Sequence, residues 1–256
     1  MSIALPTTPS FRLDGRRALV TGAGRGLGAA AAAALAQAGA HVTLAARSRG
    51  ELQQVAEAIQ ATGGQASVLP LDVTDSAAVT DAIATHGPFQ VLVNNAGTNR
   101  PALLIDTADA DIDAVLSLNL KASFYVLREV ARGLVKHGLP GSLITVSSQM
   151  GHVGGPARTV YCASKHAVEG LTKALAWELG SHQIRVNTLC PTFIETAMTQ
   201  PMLADPAFQS YAHSRIALGR VGRVEDVMGA IVFLASDASA LVTGSALMVD
   251  GGWTAA

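Results

Sequence analysis

Short apolar runs alternate along this chain with longer segments whose apolar residues recur at helical spacing. The runs lie at 17–21, 41–46, 66–71, 89–93, 141–146, 184–189 and 246–249. Each reads as a strand, and most are continuously apolar rather than alternating. Helices are expected from the glycine-rich segment at 22–28 to residue 37, then over 49–61, 75–85, 160–179 and 224–234, with a long helical stretch, interrupted or not, over 109–136. Gly39 and the pair Gly63-Gly64 stop the first two. Strands that stay apolar along their whole length belong to a parallel sheet covered on both faces. The pattern therefore predicts a doubly wound α/β domain with about seven strands. Ligand sites are expected at the carboxyl ends of those strands. No linker or repeat divides the chain, so residues 13–256 read as one domain behind a loose segment at 1–12. Residues 191–222 read as irregular, punctuated by Pro191, Pro201 and Pro206.

Composition narrows the class. Hydrophobic residues make up 49% of the chain and charged residues 14%, enough for a large core. A net charge of -1 gives no basic surface for nucleic acid or for an anionic membrane. Cys162 and Cys190 form neither a disulfide framework nor a zinc-ligand spacing, so no metal is expected. The first ten residues lack a secretory pattern, and the alanine run at 29–36 falls short of the ~20 residues that span a bilayer. A soluble cytoplasmic protein is expected.

Two local patterns carry chemistry. Gly22, Gly26 and Gly28 fall between the first strand and a helix that begins with alanines. Glycines there permit a tight turn and close approach to a pyrophosphate, and the helix N-terminus offers free N–H groups. After the second strand the chain reads Ala45-Ala46-Arg47-Ser48, without the acid that accepts from a ribose 2′-hydroxyl. Arg47, with Arg25 from the loop, suits a 2′-phosphate instead, which favours NADP(H) over NAD(H).

The second pattern is Tyr161 and Lys165, four residues apart on one helix face. A nearby ammonium favours the phenolate. Bringing a phenol from ~10 toward neutrality requires roughly 4 kcal/mol, so a second positive charge is expected beside the pair. Ser147-Ser148 and Asn94-Asn95-Ala96-Gly97 end the fifth and fourth strands at the same sheet edge. Asn119 sits inside a helical stretch, where asparagine is a poor helix former, and is a candidate for an internal polar role.

With these motifs in order, the chain resembles the short-chain dehydrogenase/reductase family. The resemblance rests on TGAGRGLG at 21–28, NNAG at 94–97, Ser148 thirteen residues before Tyr161, YCASK at 161–165, Gly244, and VDGGW at 249–253. It implies a Rossmann fold and hydride transfer between a nicotinamide cofactor and an alcohol or ketone. Tyr161 would be the acid/base, Lys165 would lower its pKa and hold the ribose, Ser148 would bond the substrate oxygen, and Asn119 would hold a relay water. Gly22, Arg25, Gly26, Leu27, Gly28, Arg47, Asp72, Val73, Asn94, Ala96, Gly97, Pro191, Ile194 and Thr196 would border the cofactor. The family has Pro-Gly where this chain has Pro191-Thr192, which places an extra side chain beside the nicotinamide. A homotetramer is implied, with helices 109–136 and 160–179 and the segment ending at Trp253 as contact surfaces.

The substrate pocket is expected from Asn99, Arg100, Gln149, His152 and Arg158, with 193–222 as a substrate-side segment. The mixture suits a polyol, sugar acid or hydroxy acid. His152 and Arg158 read equally as solvated loop residues. Alternatives are a 3-oxoacyl thioester reductase and a catalytically silent dinucleotide-binding regulator.

Overall fold

The computed structural model describes residues 3–255. Seven parallel strands form one sheet in the order β3-β2-β1-β4-β5-β6-β7: β1 (Arg17–Thr21), β2 (His41–Ala46), β3 (Gln65–Pro70), β4 (Val91–Asn94), β5 (Gly141–Val146), β6 (Ile184–Pro191) and β7 (Ala246–Val249). The helices are α1 (Gly26–Gln37), α2 (Arg49–Ala61), α3 (Ser76–His86), α4 (Asp109–Leu116), α5 (Ser123–His137), α6 (Thr159–Leu179), α7 (Gln200–Leu203), α8 (Pro206–Arg215) and α9 (Glu225–Ala235).

Alternate strand residues feed two cores. Val20, Val93 and Ile144 join Leu35, Leu52 and Ile231 of α1, α2 and α9 on one face. Leu19, Leu92 and Leu143 join Val79, Val126 and Leu175 of α3, α5 and α6 on the other. Burial on both faces is why the strand sequences are continuously apolar. The order reverses between β1 and β4, and that crevice is the ligand position of a doubly wound sheet. Among the described residues, no helix is long and apolar enough to cross a membrane.

One expectation changes. The stretch at 191–222 is not irregular, because it contains α7 and α8. Pro201 and Pro206 stand in their first turns, where the missing N–H has no partner to lose, and Asp205 caps α8 by accepting from the Ala207 amide at 3.0 Å. The helical stretch at 109–136 is interrupted. A π-helical turn at Ser117–Ala122 separates α4 from α5. Trp253 has aromatic neighbours within its own chain. Its ring centroid lies 5.5 Å from that of Phe193 and 5.9 Å from that of Tyr211, so it packs onto the 193–222 segment of its own chain.

Candidate active site

The loop after β1 is shaped by close packing. A Cβ on Gly28 would meet the Gly22 carbonyl oxygen at 2.1 Å, and Gly22 itself has φ of +64°. Asn95 secures the turn, donating from Nδ2 to the carbonyls of Thr21 and Gly22 at 3.1 and 3.2 Å. At the start of α1, Arg25 makes no side-chain capping bond, and the first turn contains no acid. The first-turn N–H groups therefore face a groove ready for an anion. That groove, about 410 Å³, is lined by Gly22, Arg25, Gly26, Leu27, Arg47, Asp72, Val73, Ala96, Gly97 and Thr196. Its shape and donor set fit a dinucleotide. Hydrogen bonds from the Thr74 amide and hydroxyl hold the Asp72 carboxyl below the usual carboxylate range. Asn94 lies outside this lining. It is buried, accepting from Thr21 Oγ1 at 3.1 Å and donating to the Ser123 carbonyl at 3.2 Å, so it ties β4 to β1 and α5.

One acid in the groove was not anticipated from the sequence. Glu51, in the first turn of α2, lines it and pairs with Arg25 at 3.3 Å. It lies four residues beyond Arg47, outside the position where a ribose-binding acid is sought.

A second cavity of about 350 Å³ adjoins the first, sharing Leu27, Asn95, Gly97, Thr196 and Met198 with it. Ser148, Tyr161 and Lys165 line it, with Pro191, Thr192 and Ile194 on the far wall. Ser148 Oγ donates to Gln149 Oε1 at 2.8 Å and accepts from the Met150 amide at 3.1 Å. Lys165 Nζ donates to the Val146 carbonyl at 2.8 Å and sits 5.6 Å from the centroid of the Tyr161 ring. Burial raises the Tyr161 phenol above its ordinary value, against the opposing pull of its hydrogen bond with Ser148. Burial also lowers Lys165 to about 8, while the nearby Cys190 and Glu169 act the other way. The lysine by itself therefore does not bring the phenol toward neutrality.

Asn119 stands in the π-helical turn, buried beside Gly97. Its Oδ1 accepts from the Thr98 amide at 2.8 Å, and its Nδ2 donates to the Thr98 carbonyl at 2.9 Å and to Ser164 Oγ at 3.1 Å. Both amide protons are thus engaged in holding the strand-end loop against α6. The side chain is a clamp between that loop and α6.

Of the expected substrate residues, Asn99, Gln149 and Arg158 line the second cavity. Asn99 Oδ1 is buried without a hydrogen-bond partner. Arg158 is buried, donating to the Ala157 carbonyl and to Met202 Sδ, both at 3.0 Å. Burial pulls its guanidinium below the ordinary value. His152 is a correction: it is not among the residues lining this cavity. The 3-10 turn at Gln149–Gly151 carries it past Ser148, and Nε2 lies 3.5 Å from both Glu169 Oε1 and Cys190 Sγ. Arg100 also faces elsewhere, with Nε 3.6 Å from Asp111. The extra side chain at Thr192 does line the cavity, and its Oγ1 is buried without a partner.

Comparison with known proteins agrees with this geometry. The gluconate 5-dehydrogenase of Gluconobacter oxydans (strain 621H) is 40% identical over 248 residues, covering 95% of this chain and 96% of that protein. A 3-oxoacyl-(acyl-carrier-protein) reductase of Thermotoga maritima is 42% identical over 245 residues, covering 94% and 98%. The crystal structure of a gluconate 5-dehydrogenase from Burkholderia cenocepacia J2315, in complex with NADP and tartrate, superposes with a TM-score of 0.92 at 38% identity, covering 96% and 98% of the two chains. The family model described as enoyl-(acyl carrier protein) reductase matches residues 22–254. From the first glycine of the loop to the last turn after β7, then, this chain belongs to the short-chain dehydrogenase/reductase family, whose members are oxidoreductases acting on alcohols and ketones.

Proposed function

We propose that this protein is an NADP(H)-preferring dehydrogenase/reductase whose substrate is a polar hydroxy compound bearing a carboxylate, of the sugar-acid type. The observation that carries this reading is Arg158. Its guanidinium is buried at the cavity that holds Ser148 and Tyr161, and its partners are a carbonyl and a thioether rather than an acid. A buried charge without a counter-ion is costly, and a substrate carboxylate removes that cost with a charge-assisted bond. The unpartnered Asn99 Oδ1 accepts from a substrate hydroxyl on the same wall. A 3-oxoacyl thioester has no carboxylate to meet Arg158. Two relatives, the gluconate 5-dehydrogenases of Gluconobacter oxydans and Burkholderia cenocepacia, point the same way.

In this reading Tyr161 exchanges a proton with the substrate oxygen, and Ser148 donates the second hydrogen bond to it. Lys165 positions the pair and the ribose, and Asn119 holds the loop that borders the nicotinamide end. The nicotinamide, when bound, exchanges the hydride and in its oxidised form brings the second positive charge that Tyr161 and Lys165 lack. Arg47, exposed at the adenosine end, and Arg25 meet a 2′-phosphate, while Glu51 orients Arg25. A cytoplasmic location goes with the two free cysteines. A homotetramer is supported by Phe124 of α5 and Trp177 of α6, which are 43% and 91% exposed. Light scattering that finds a monomer at micromolar concentration removes the tetramer.

The substrate class is tested by initial rates on sugar acids, neutral polyols and 3-oxoacyl thioesters, with NADP(H) and NAD(H) side by side. Arg158→Leu should raise KM for a sugar acid by about 10- to 100-fold, the worth of a bond to a charged group, and leave a neutral polyol nearly unaffected. Equal effects on both would overturn the carboxylate reading. Cofactor binding without turnover across the panel would instead favour the silent regulator.

A further inference from the structure

Behind the catalytic residues, three potential ligand atoms from separate elements converge. They are Nε2 of His152, just after the 3-10 turn, Oε1 of Glu169 on α6, and Sγ of Cys190 near the end of β6. The nitrogen lies 3.5 Å from the oxygen and 3.5 Å from the sulfur, and the sulfur lies 3.3 Å from the same oxygen. Zinc bonds of about 2.0–2.3 Å at tetrahedral angles set N, O and S ligand atoms roughly 3.3–3.6 Å apart. The observed triangle has the dimensions of one face of such a site.

Hydrogen bonding accounts for this triangle less completely. It has three edges, and the thiol and a neutral imidazole supply two protons between them. Glu169 is 6% exposed, and among the described residues its ion-pair partner is His152, while Lys165, one turn earlier on α6, feels its charge without pairing with it. Its second oxygen already accepts from Thr188 Oγ1 at 2.9 Å. A further donor stands beside the cluster. Ser147 is 2% exposed and its Oγ has no hydrogen bond of ordinary geometry, yet it lies near enough to Cys190 to counter part of the upward push of burial on the thiol. Ser147 Oγ and Glu169 Cγ both crowd Gly151, where an added Cβ would lie 3.0 and 3.2 Å from them. His152 keeps 31% of its side chain exposed, which leaves an entry path.

We propose that His152, Glu169 and Cys190 form a binding site for a divalent transition-metal ion of the zinc type, with the Ser147 hydroxyl or a water as fourth ligand. The soft sulfur, the imidazole and the single carboxylate oxygen select zinc or cobalt(II) over magnesium or calcium. Charge balances: as the metal–sulfur bond forms, the Cys190 thiol loses its proton to solvent, and thiolate plus carboxylate offset the dication. The ion ties the turn that carries Ser148 to α6 and to β6 just before Pro191. It is a structural clamp beneath the active site, with no part in hydride transfer.

The test is titration of chelator-treated full-length protein with cobalt(II), followed by absorption and by proton release in weak buffer. One equivalent per chain should bind, with a thiolate-to-cobalt charge-transfer band, the visible bands of four-coordinate cobalt, and one proton released. Cys190→Ser should lose the charge-transfer band, and His152→Ala should lose stoichiometric uptake. His152→Gln serves as a second variant at a partly exposed position should the alanine protein misfold. Zinc should raise the melting temperature of the wild type but not that of the His152 variants. Absence of the charge-transfer band in the wild type, or uptake unchanged in the His152 variants, overturns the site. None of these readouts requires turnover, so the result is independent of the substrate assignment.

Discussion

Lys165 is bonded to the backbone beside Tyr161: Nζ donates to the Val146 carbonyl at 2.8 Å and stands 5.6 Å from the centroid of the phenol ring. The lysine is therefore anchored to the end of β5 beside Ser147 and Ser148. Burial acts on both groups and favours their neutral forms: the phenol is raised and the ammonium lowered. The pair becomes an acid/base device only with further positive charge beside it.

Tyr161→Phe keeps the ring and removes the exchangeable proton. It should lower kcat by about 10²- to 10⁴-fold, the span of general acid–base catalysis, while fluorescence titration of the cofactor stays near wild type. A kcat close to wild type would remove Tyr161 from the proton-transfer role.

Lys165 makes stability depend on alkaline pH. Its folded value, about 8, lies below the ordinary 10.5. Between those values the unfolded chain holds the proton and the folded chain does not, so stability rises with pH across that window. Below about 8 the buried ammonium carries its full desolvation cost. Denaturation of the wild type and Lys165→Met at pH 7 and pH 10 should show the wild type gaining about 3 kcal/mol at most relative to the variant. A flat difference would mean that Lys165 titrates normally.

Gly28→Ala places a Cβ 2.1 Å from the Gly22 carbonyl, so the loop must open. Overpacking of this kind costs about 1–3 kcal/mol, and the opened loop no longer presents the α1 amides to the cofactor. Calorimetry should show both a lower melting temperature and loss of cofactor binding. Binding retained at wild-type strength would contradict the proposed cradle.

Arg47→Leu should narrow the preference for NADP(H) over NAD(H) by about 10- to 100-fold in kcat/KM, the worth of one charge-assisted bond. Glu51→Gln frees Arg25 from its 3.3 Å ion pair and should leave NADP(H) bound at least as well. Much tighter NADP(H) binding with Arg47 intact would instead make Glu51 a residue that repels the 2′-phosphate.

Most of the scaffold was readable because strands and helices write local periods into the chain. The continuous apolar runs predicted a sheet covered on both faces, and the two cores use alternate residues of each strand. The four-residue spacing of Tyr161 and Lys165 and the glycine loop before α1 are likewise local. Where local reading misled, the residue had two roles. Pro201 and Pro206 looked like breaks but stand in the first turns of α7 and α8. Asn119 was legible as an internal polar group, and it bonds Thr98 and Ser164 across the π-helical turn.

The sequence alone determined the order of strands and helices, the glycine loop before α1 and the shared helix face of Tyr161 and Lys165, since each depends on neighbours within a few residues. Only the tertiary structure decided which side chains share a cavity. It turned His152 away from the pocket, brought Glu51 against Arg25, and left Arg158 buried without an acid. It also gathered His152, Glu169 and Cys190, the first and last 38 residues apart, into one triangle. The physical reason is that α6 folds back between β5 and β6, and chain spacing does not record which residues that crossover stacks together.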